Sequence, residues 1–217
     1  MPDFVIHTVP GSPFARAALM TLEEKGAPYR VTAVMPGTLQ APEHLVRHPF
    51  GRIPVLEHGD FSLYETQAIL RYIDRVAQPG SLTPADPQAA GRMDQIMNVN
   101  DWYLFQGVAN IIAFQRVVGP RLMGLEPDLK AIETAMPRAR AVFAELARLL
   151  GGQAYFAGEA LSLADLLLFP QLDFMQAAPE WATLAGPHGA LDAWMDRMAA
   201  RPSAAATTWE KVAAMAK

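Results

Sequence analysis

The spacing of apolar residues changes character near Gln78. Before it, short apolar runs alternate with single helical stripes. Phe4-Val5-Ile6 reads as a short buried strand. Ala15, Ala18, Leu19 and Leu22 follow at the i, i+3, i+4, i+7 spacing of an amphipathic helix. Gly26 ends that helix and Pro28 bars its continuation. Tyr29 to Val34, with β-branched Val31, Thr32 and Val34, predicts a second strand. Val55-Leu56 and Phe61-Ser62-Leu63 flank His58-Gly59-Asp60, a hairpin signal. A second helix runs from Thr66 with Ile69, Tyr72, Ile73 and Val76 on one face. The segment between, 35–51, is irregular, punctuated by Pro36, Gly37, Pro42, Pro49 and Gly51. The order is β-α-β, irregular, β-β-α.

Gln78-Pro79-Gly80-Ser81, with Pro84 and Pro87, has the composition of a linker. Everything beyond it is helical in period. Residues 88–118 predict a long apolar helix bent near Gly107. Residues 128–150 predict another, in which Pro137 is expected to kink or break the hydrogen-bond ladder and which Gly151-Gly152 stops. Later helices start near Ser162, Ala190 and Ser203. The expected organisation is a small α/β domain over 1–78, a linker over 79–87 and an all-helical domain over 88–217, with no internal repeat or low-complexity tract.

Composition narrows the function classes. The chain has 217 residues, of which 51% are hydrophobic and 18% charged, as in a well-packed soluble protein. A net charge of −4 gives no basic face for nucleic acid or anionic lipid. No apolar run approaches the ~20 residues of a membrane span. Met1-Pro2-Asp3-Phe4 lacks the basic and apolar regions of a signal peptide, so a cytoplasmic location is expected. There is no cysteine. Disulfides, thiolate metal sites and a catalytic thiol of the protein's own are thereby excluded, and any sulfur chemistry must use sulfur that arrives with the substrate.

Several residues carry candidate chemistry, each with a plainer alternative. Ser12 before Pro13 is a common N-cap pairing, but its hydroxyl and the helix N-terminus also attract an anion. Arg16, one turn on, is either a partner of that site or a surface charge. Ile53-Pro54 enters a strand, where Pro is ordinary; a cis bond would instead leave the Ile53 backbone free to pair with an extended ligand. Glu65-Thr66 is either a dipole-friendly helix start or a clamp for an amino acid, with Glu65 on the ammonium and Thr66 on the carboxylate. His44 and His48 lack the order of a zinc helix and read as surface or cradle residues, so no metal is expected. Ser162-Leu163-Ala164-Asp165 is a capping box, a folding device. Asn98, Asp101, Trp102, Phe105 and Gln106 share a helical stripe that is either core or the lining of a ligand pocket. No hydrolase triad, phosphate loop or nucleotide fingerprint is visible.

Taken together, Ser12-Pro13-Phe14-Ala15-Arg16, His48-Pro49-Phe50-Gly51-Arg52-Ile53-Pro54, Leu63-Tyr64-Glu65-Thr66, and Tyr155-Phe156-Ala157-Gly158-Glu159 through Ser162-Leu163-Ala164-Asp165 resemble, in this order, the motifs of a cytosolic glutathione transferase of the serine-type, theta/phi-like bacterial kind. The resemblance spans both domains. It implies a thioredoxin-like domain followed by a helical bundle, a homodimer, and glutathione as co-substrate. It implies that Ser12 donates a hydrogen bond to the glutathione sulfur, stabilising a thiolate that attacks a small hydrophobic electrophile or reduces a peroxide. Ile53, next to Pro54, would pair with the cysteinyl backbone. Glu65 and Thr66 would hold the γ-glutamyl end, and Gln40 and Arg52 a carboxylate. Phe14, Asn98, Asp101, Trp102 and Phe105 would meet the electrophile. Thr66 stands where the family more often carries Ser, and Gln40 where serine-type members more often carry Lys or His. The absence of Cys argues against the omega- and beta-like branches. The alternative on the same fold is a non-catalytic ligand carrier or adaptor.

Overall fold

The computed structural model describes residues 3–35 and 37–216. Met1 and Pro2, on which the absence of a leader was read, lie outside the described residues, as do Pro36 of the irregular segment and Lys217. The chain divides into two compact units, Met1–Thr83 with Ala200–Lys217, and Pro84–Ala199.

The first unit is built on a four-stranded sheet in the order β2-β1-β3-β4. β1 (Phe4–Thr8) pairs in parallel with β2 (Tyr29–Ala33) through α1 (Pro13–Glu24). β3 (Val55–His58) pairs antiparallel with β1 and with β4 (Phe61–Tyr64), and α3 (Thr66–Val76) follows. A single turn, α2 (Pro42–Leu45), interrupts the irregular stretch. The predicted stripe of α1 is buried in full: Ala15, Ala18, Leu19 and Leu22 pack with Ile6, Leu56, Ile69, Leu70 and Ile73 in the core of this unit. Each large aliphatic side chain withdrawn there contributes about 1.5–3 kcal/mol. Tyr72 and Val76 do not join that core. Tyr72 reaches back to the hairpin, where its hydroxyl lies 2.9 Å from His58 Nδ1, and Leu70 takes the core position.

The second unit is helical throughout. It comprises α4 (Pro87–Val99), α5 (Asn110–Ala113), α6 (Gly119–Met123), α7 (Leu129–Leu150), α8 (Leu163–Gln176), α9 (Trp181–Leu184) and α10 (Gly189–Ala199), with wider π winding in Asn100–Ala109, broken at Gln106 and Gly107, and in Phe114–Val118. The bend expected near Gly107 is present: Gln106 and Gly107 leave helical geometry, and Gly107 has φ 85°. Pro137, expected to kink or break its helix, lies inside α7, which runs through it as one helix of 22 residues. One ladder bond is lost at most, while Ile132, Ala135, Ala139, Val142 and Phe143 are buried on both sides of it and hold the helix to the core.

The expected domain limits differ from these units at the C-terminus. α11 (Pro202–Ala206) and α12 (Trp209–Met215) pack on α1 and β2 of the first unit. The reason is polar as well as apolar. Arg201 grips Glu24 with two bonds of 2.7 Å, Ser203 Oγ donates to the same carboxylate at 2.5 Å, and Arg16 donates to the Ala204 carbonyl at 3.3 Å. Helical period alone does not report which core a terminal helix joins.

Residues 79–83 of the segment read as linker are also fastened to the first unit, while the rest of that segment belongs to the second. Lys25, 2% exposed, donates to Asp74 Oδ1 at 3.0 Å and to the carbonyls of Pro79 and Gly80. Asp74 further accepts from the Leu82 N–H at 2.7 Å, Thr83 Oγ1 at 2.8 Å and Ser81 Oγ at 3.1 Å. Burial pushes the Asp74 carboxyl up, but these donors and the Lys25 charge outweigh it and hold the carboxyl below its ordinary value. A carboxyl depressed on folding contributes stability above its unfolded value of about 3.9, and the contribution is lost as pH falls through the folded value. Asp74→Asn is therefore expected to be less stable than wild type at pH 7 and to lose less further stability below about pH 4. Urea midpoints measured from pH 7 downward check this; parallel pH profiles would refute it.

Candidate functional site

Strand register brings the expected site residues of the first unit to one end of its sheet. His7 pairs with Val55 and Val55 with Tyr64, while Thr8 pairs with Ala33. The turn after β1, which carries Ser12, the residues before β3, which are Ile53 and Pro54, and the residue after β4, which is Glu65, therefore all leave the sheet at that end. The irregular segment with Gln40 and Arg52 begins there too, where the Val34 N–H donates to the Thr8 carbonyl at 2.8 Å. Two helices of 12 and 11 residues, α1 and α3, present their N-termini at the same end. Unpaired N–H groups and the positive ends of both macrodipoles make it a place for anions.

Ser12 caps α1 from extended backbone, and its Oγ accepts from the Ala15 N–H at 3.3 Å, with Pro13 in the first helical turn. The hydroxyl is half-buried, and among the described residues no acceptor takes its own proton. It is placed to donate while the cap is kept. Phe14 follows at the start of α1, half-buried.

The Ile53–Pro54 peptide is cis. Ile53 lies outside β3, and the sheet uses neither its N–H nor its C=O. Arg52 is exposed, and its carbonyl is held by His44 Nε2 at 2.8 Å. Gln40 lies against Gly51, which has φ +59° and room for no Cβ: one built there would stand 2.7 Å from the Leu39 carbonyl oxygen and closer still to the Gln40 amide. Glu65 is the only non-glycine residue with positive φ among the described residues, at φ 71° and ψ 113°, and it is exposed at the N-cap of α3 with no capping bond of its own. Such backbone costs of order 1–3 kcal/mol and persists where surroundings impose it, commonly at ligand sites. Thr66, 8% exposed, is the first helical residue behind it.

His44 and His48 were expected on the surface or in a cradle; they are not surface residues, at 5% and 2% exposed. His48 lies under the site, its ring 4.7 Å from that of Tyr64, its Nδ1 accepting from the Phe50 N–H at 3.4 Å. Burial pushes its imidazole down, against the pull of the nearby Glu65 charge. A neutral ring there tethers the loop to the residue before Glu65, a role that spacing alone does not indicate. Phe50 stays out of the core of this unit, 67% exposed.

In the second unit the expected stripe runs from α4 into the wider winding that begins at Asn100, and none of its residues is buried. Asn98 is exposed and donates back to the Asp94 carbonyl at 2.8 Å. Asp101 accepts from Asn100 Nδ2 at 3.0 Å. Trp102 is 60% exposed, its carbonyl held by Arg138 Nη2 at 2.8 Å, and Phe105 is half-buried. The capping box at Ser162 and Asp165 is present. Among the described residues no group of three or more His, Asp or Glu is arranged to hold a metal ion, and no helix is long and apolar enough to cross a membrane.

A four-stranded β-α-β, β-β-α unit with a Ser-capped first helix, a cis-proline before its third strand and a helical unit after it defines a thioredoxin-like domain joined to a helical domain. The comparisons agree in detail. Residues 4–75 match the family model "Glutathione S-transferase, N-terminal domain" and residues 107–202 match "Glutathione S-transferase, C-terminal domain". The chain belongs to the glutathione S-transferase family of enzymes. It is 35% identical over 202 residues to glutathione S-transferase 4 of Zea mays, covering 89% of this chain and 86% of that one. The structure of glutathione transferase F7 from Populus trichocarpa superposes with a TM-score of 0.83 at 26% identity, covering 99% of both chains. That of glutathione S-transferase I from maize in complex with an atrazine glutathione conjugate gives 0.81 at 29% identity, covering 98% of this chain and 97% of that one.

Proposed function

We propose that this protein activates the thiol of glutathione through Ser12 and transfers it to a small hydrophobic electrophile. The observation that carries the reading is the register that gathers Ser12, Ile53 and Glu65 at one end of the sheet with two helix N-termini. Glutathione is a peptide with an ammonium, two carboxylates and a central thiol. Glu65 takes the ammonium, and Thr66 with the α3 N-terminus takes the γ-glutamyl carboxylate. The Ile53 backbone pairs with the cysteinyl residue, and Gln40 and Arg52 take a remaining carboxylate. The thiol then lies at Ser12, whose hydroxyl donates to the developing thiolate beside the α1 N-terminus. Both lower the thiol pKa, and from a free value near 8.5 each unit of lowering gives up to about tenfold more nucleophile at pH 7. The thiol proton goes to solvent, and a sulfur lone pair forms the new C–S bond while a leaving group departs with its bonding pair. In an epoxide the C–O pair moves onto oxygen, and in an enal the C=C pair shifts toward the carbonyl, each then taking up a proton. Phe14, Asn98, Asp101, Trp102 and Phe105 are the residues we assign to the electrophile. That the maize relative is seen in complex with an atrazine glutathione conjugate supports conjugation as the reaction.

The test is thiol consumption across a panel of aryl halides, epoxides, enals and peroxides, the last reporting peroxide reduction. Glutathione binding with turnover of at least one member is expected. Apolar ligand binding with neither would make the protein a carrier or adaptor instead. Glu65→Ala is expected to weaken glutathione affinity with a smaller effect on the saturated rate, because the residue binds an end of the ligand that does not react. Calorimetry giving equal affinities would remove Glu65 from the site.

We also propose a cytoplasmic homodimer. Phe50 and Val46, 67% and 88% exposed, form apolar surface on the first unit, and we seat it against residues near 88–118 of the partner. Light scattering at micromolar concentration is expected to give twice 23.7 kDa; a monomer mass would end that assignment.

A further inference from the structure

The segment after α10 lies almost wholly beyond the two family-model matches, which end at residue 202. It grips α1 along its length. Arg201 and Ser203 hold Glu24 at the helix's last residue, and the Ala204 carbonyl accepts from Arg16 in its first turns. At the other end, the indole of Trp209 covers Gly11, the residue before Ser12. A Cβ built on Gly11 would stand 2.6 Å from Cη2 and Cζ3 of that ring and 2.7 Å from Cε3. Gly11 has φ 91°, and the Ser12 N–H is bonded to the Val9 carbonyl at 3.2 Å, so the turn that carries the Ser12 hydroxyl is a tight one with the indole as one wall. Trp209 is itself held: Thr208 Oγ1 caps α12 by accepting from the Lys211 N–H at 3.4 Å, Val212 is buried, and Met215 Sδ lies 4.0 Å from the Tyr29 hydroxyl.

We infer that Trp209 is a positioning residue for the glutathione thiolate: its benzo ring, seated on Gly11, sets where the Ser12 hydroxyl stands. The inference rests on the reading of Ser12 as the thiolate donor. The atoms nearest Gly11 belong to the six-membered half of the indole, and two of them, Cζ3 and Cη2, lie farther from the backbone than any atom of a phenylalanine ring. Trp209→Phe therefore keeps an apolar anchor for α12 while withdrawing the wall. Glutathione binding through Glu65, Thr66 and Ile53 does not depend on that wall.

The experiment measures the thiol pKa of bound glutathione by thiolate absorbance, together with kcat and KM for glutathione, in wild type, Trp209→Phe, Trp209→Ala and Ser12→Ala. The bound thiol pKa is expected to rise in both Trp209 variants, more in Ala than in Phe, with KM for glutathione changed less than about twofold. kcat is expected to fall roughly tenfold in Phe and up to roughly a hundredfold in Ala, the scale set by displacing a catalytic group by about 1 Å. A packing role alone would lower the melting temperature and the active fraction and leave the pKa where it was. An unmoved pKa in folded Trp209→Phe, with the pKa raised in Ser12→Ala, overturns the role of Trp209 and leaves that of Ser12 intact. An unmoved pKa in Ser12→Ala overturns the reading of Ser12 and this inference with it. If Trp209→Ala does not fold, Trp209→Phe decides alone by the same criterion.

Discussion

Ser12→Ala is expected to lower kcat/KM for glutathione conjugation by roughly 10–1000-fold, the range for removing one donor to charge that develops in the transition state. The hydroxyl caps α1 through Ala15, so some stability goes with it, about 1 kcal/mol. That is too little to unfold a domain stable by about 5–15 kcal/mol, so lost activity in a folded variant reports chemistry. The α1 N-terminus remains in the variant, and a residue of thiolate stabilisation remains with it. The bound thiol pKa, followed by thiolate absorbance, is accordingly expected to rise toward the free value near 8.5 without reaching it. An unchanged pKa and rate would transfer the role to a backbone N–H.

Asp165→Ala is expected to have the largest effect on stability. The carboxylate is fully buried, and four donors converge on it: the Phe156 N–H and Trp194 Nε1 on Oδ1, both at 2.9 Å, and the Ser162 N–H at 2.9 Å and Ser162 Oγ at 2.7 Å on Oδ2. Burial pushes its pKa up, and the four donors oppose that. Trp194 stands edge-on to Phe156 and Phe169, so the network fixes the packing of α8, α10 and the 155–158 turn together. Truncation leaves four buried donors without an acceptor, at a cost of about 3–5 kcal/mol by analogy with breaking a buried paired charge. The melting temperature should fall on the order of 10 °C for a chain of this size. Asp165→Asn is expected to lie between: its oxygen serves Phe156 and Trp194, and its amide then meets the Ser162 N–H donor to donor. Thermal melts of the three proteins check the order, and a melt of Asp165→Ala within 2 °C of wild type would show that water or a rearranged Ser162 replaces the carboxylate.

What local chemistry dictates was legible in order along the chain. Ser12-Pro13 caps a helix whose buried face was set by the spacing of Ala15, Ala18, Leu19 and Leu22, and the hairpin turns at Gly59 and Asp60. The capping box at Ser162 and Asp165 was legible for the same reason: its partners lie three residues apart, within reach of one helical turn. The bend at Gly107 needed only a residue that tolerates positive φ.

Tertiary structure alone decided the rest, because its causes lie far apart in sequence or in the balance between competing terms. The isomer of Ile53–Pro54 and the positive φ of Glu65 are not properties of those residues; the sheet end on which they converge imposes them. Pro137 was read by its own propensity, and the buried residues on both sides of it overrode that propensity. The joining of residues 200–217 to the first unit rests on pairs such as Glu24 with Arg201, 177 positions apart, and on an indole that finds the one residue before Ser12 without a side chain. Periodicity reports that a helix has an apolar face; only the folded chain decides which surface that face, or a Trp at its end, is pressed against.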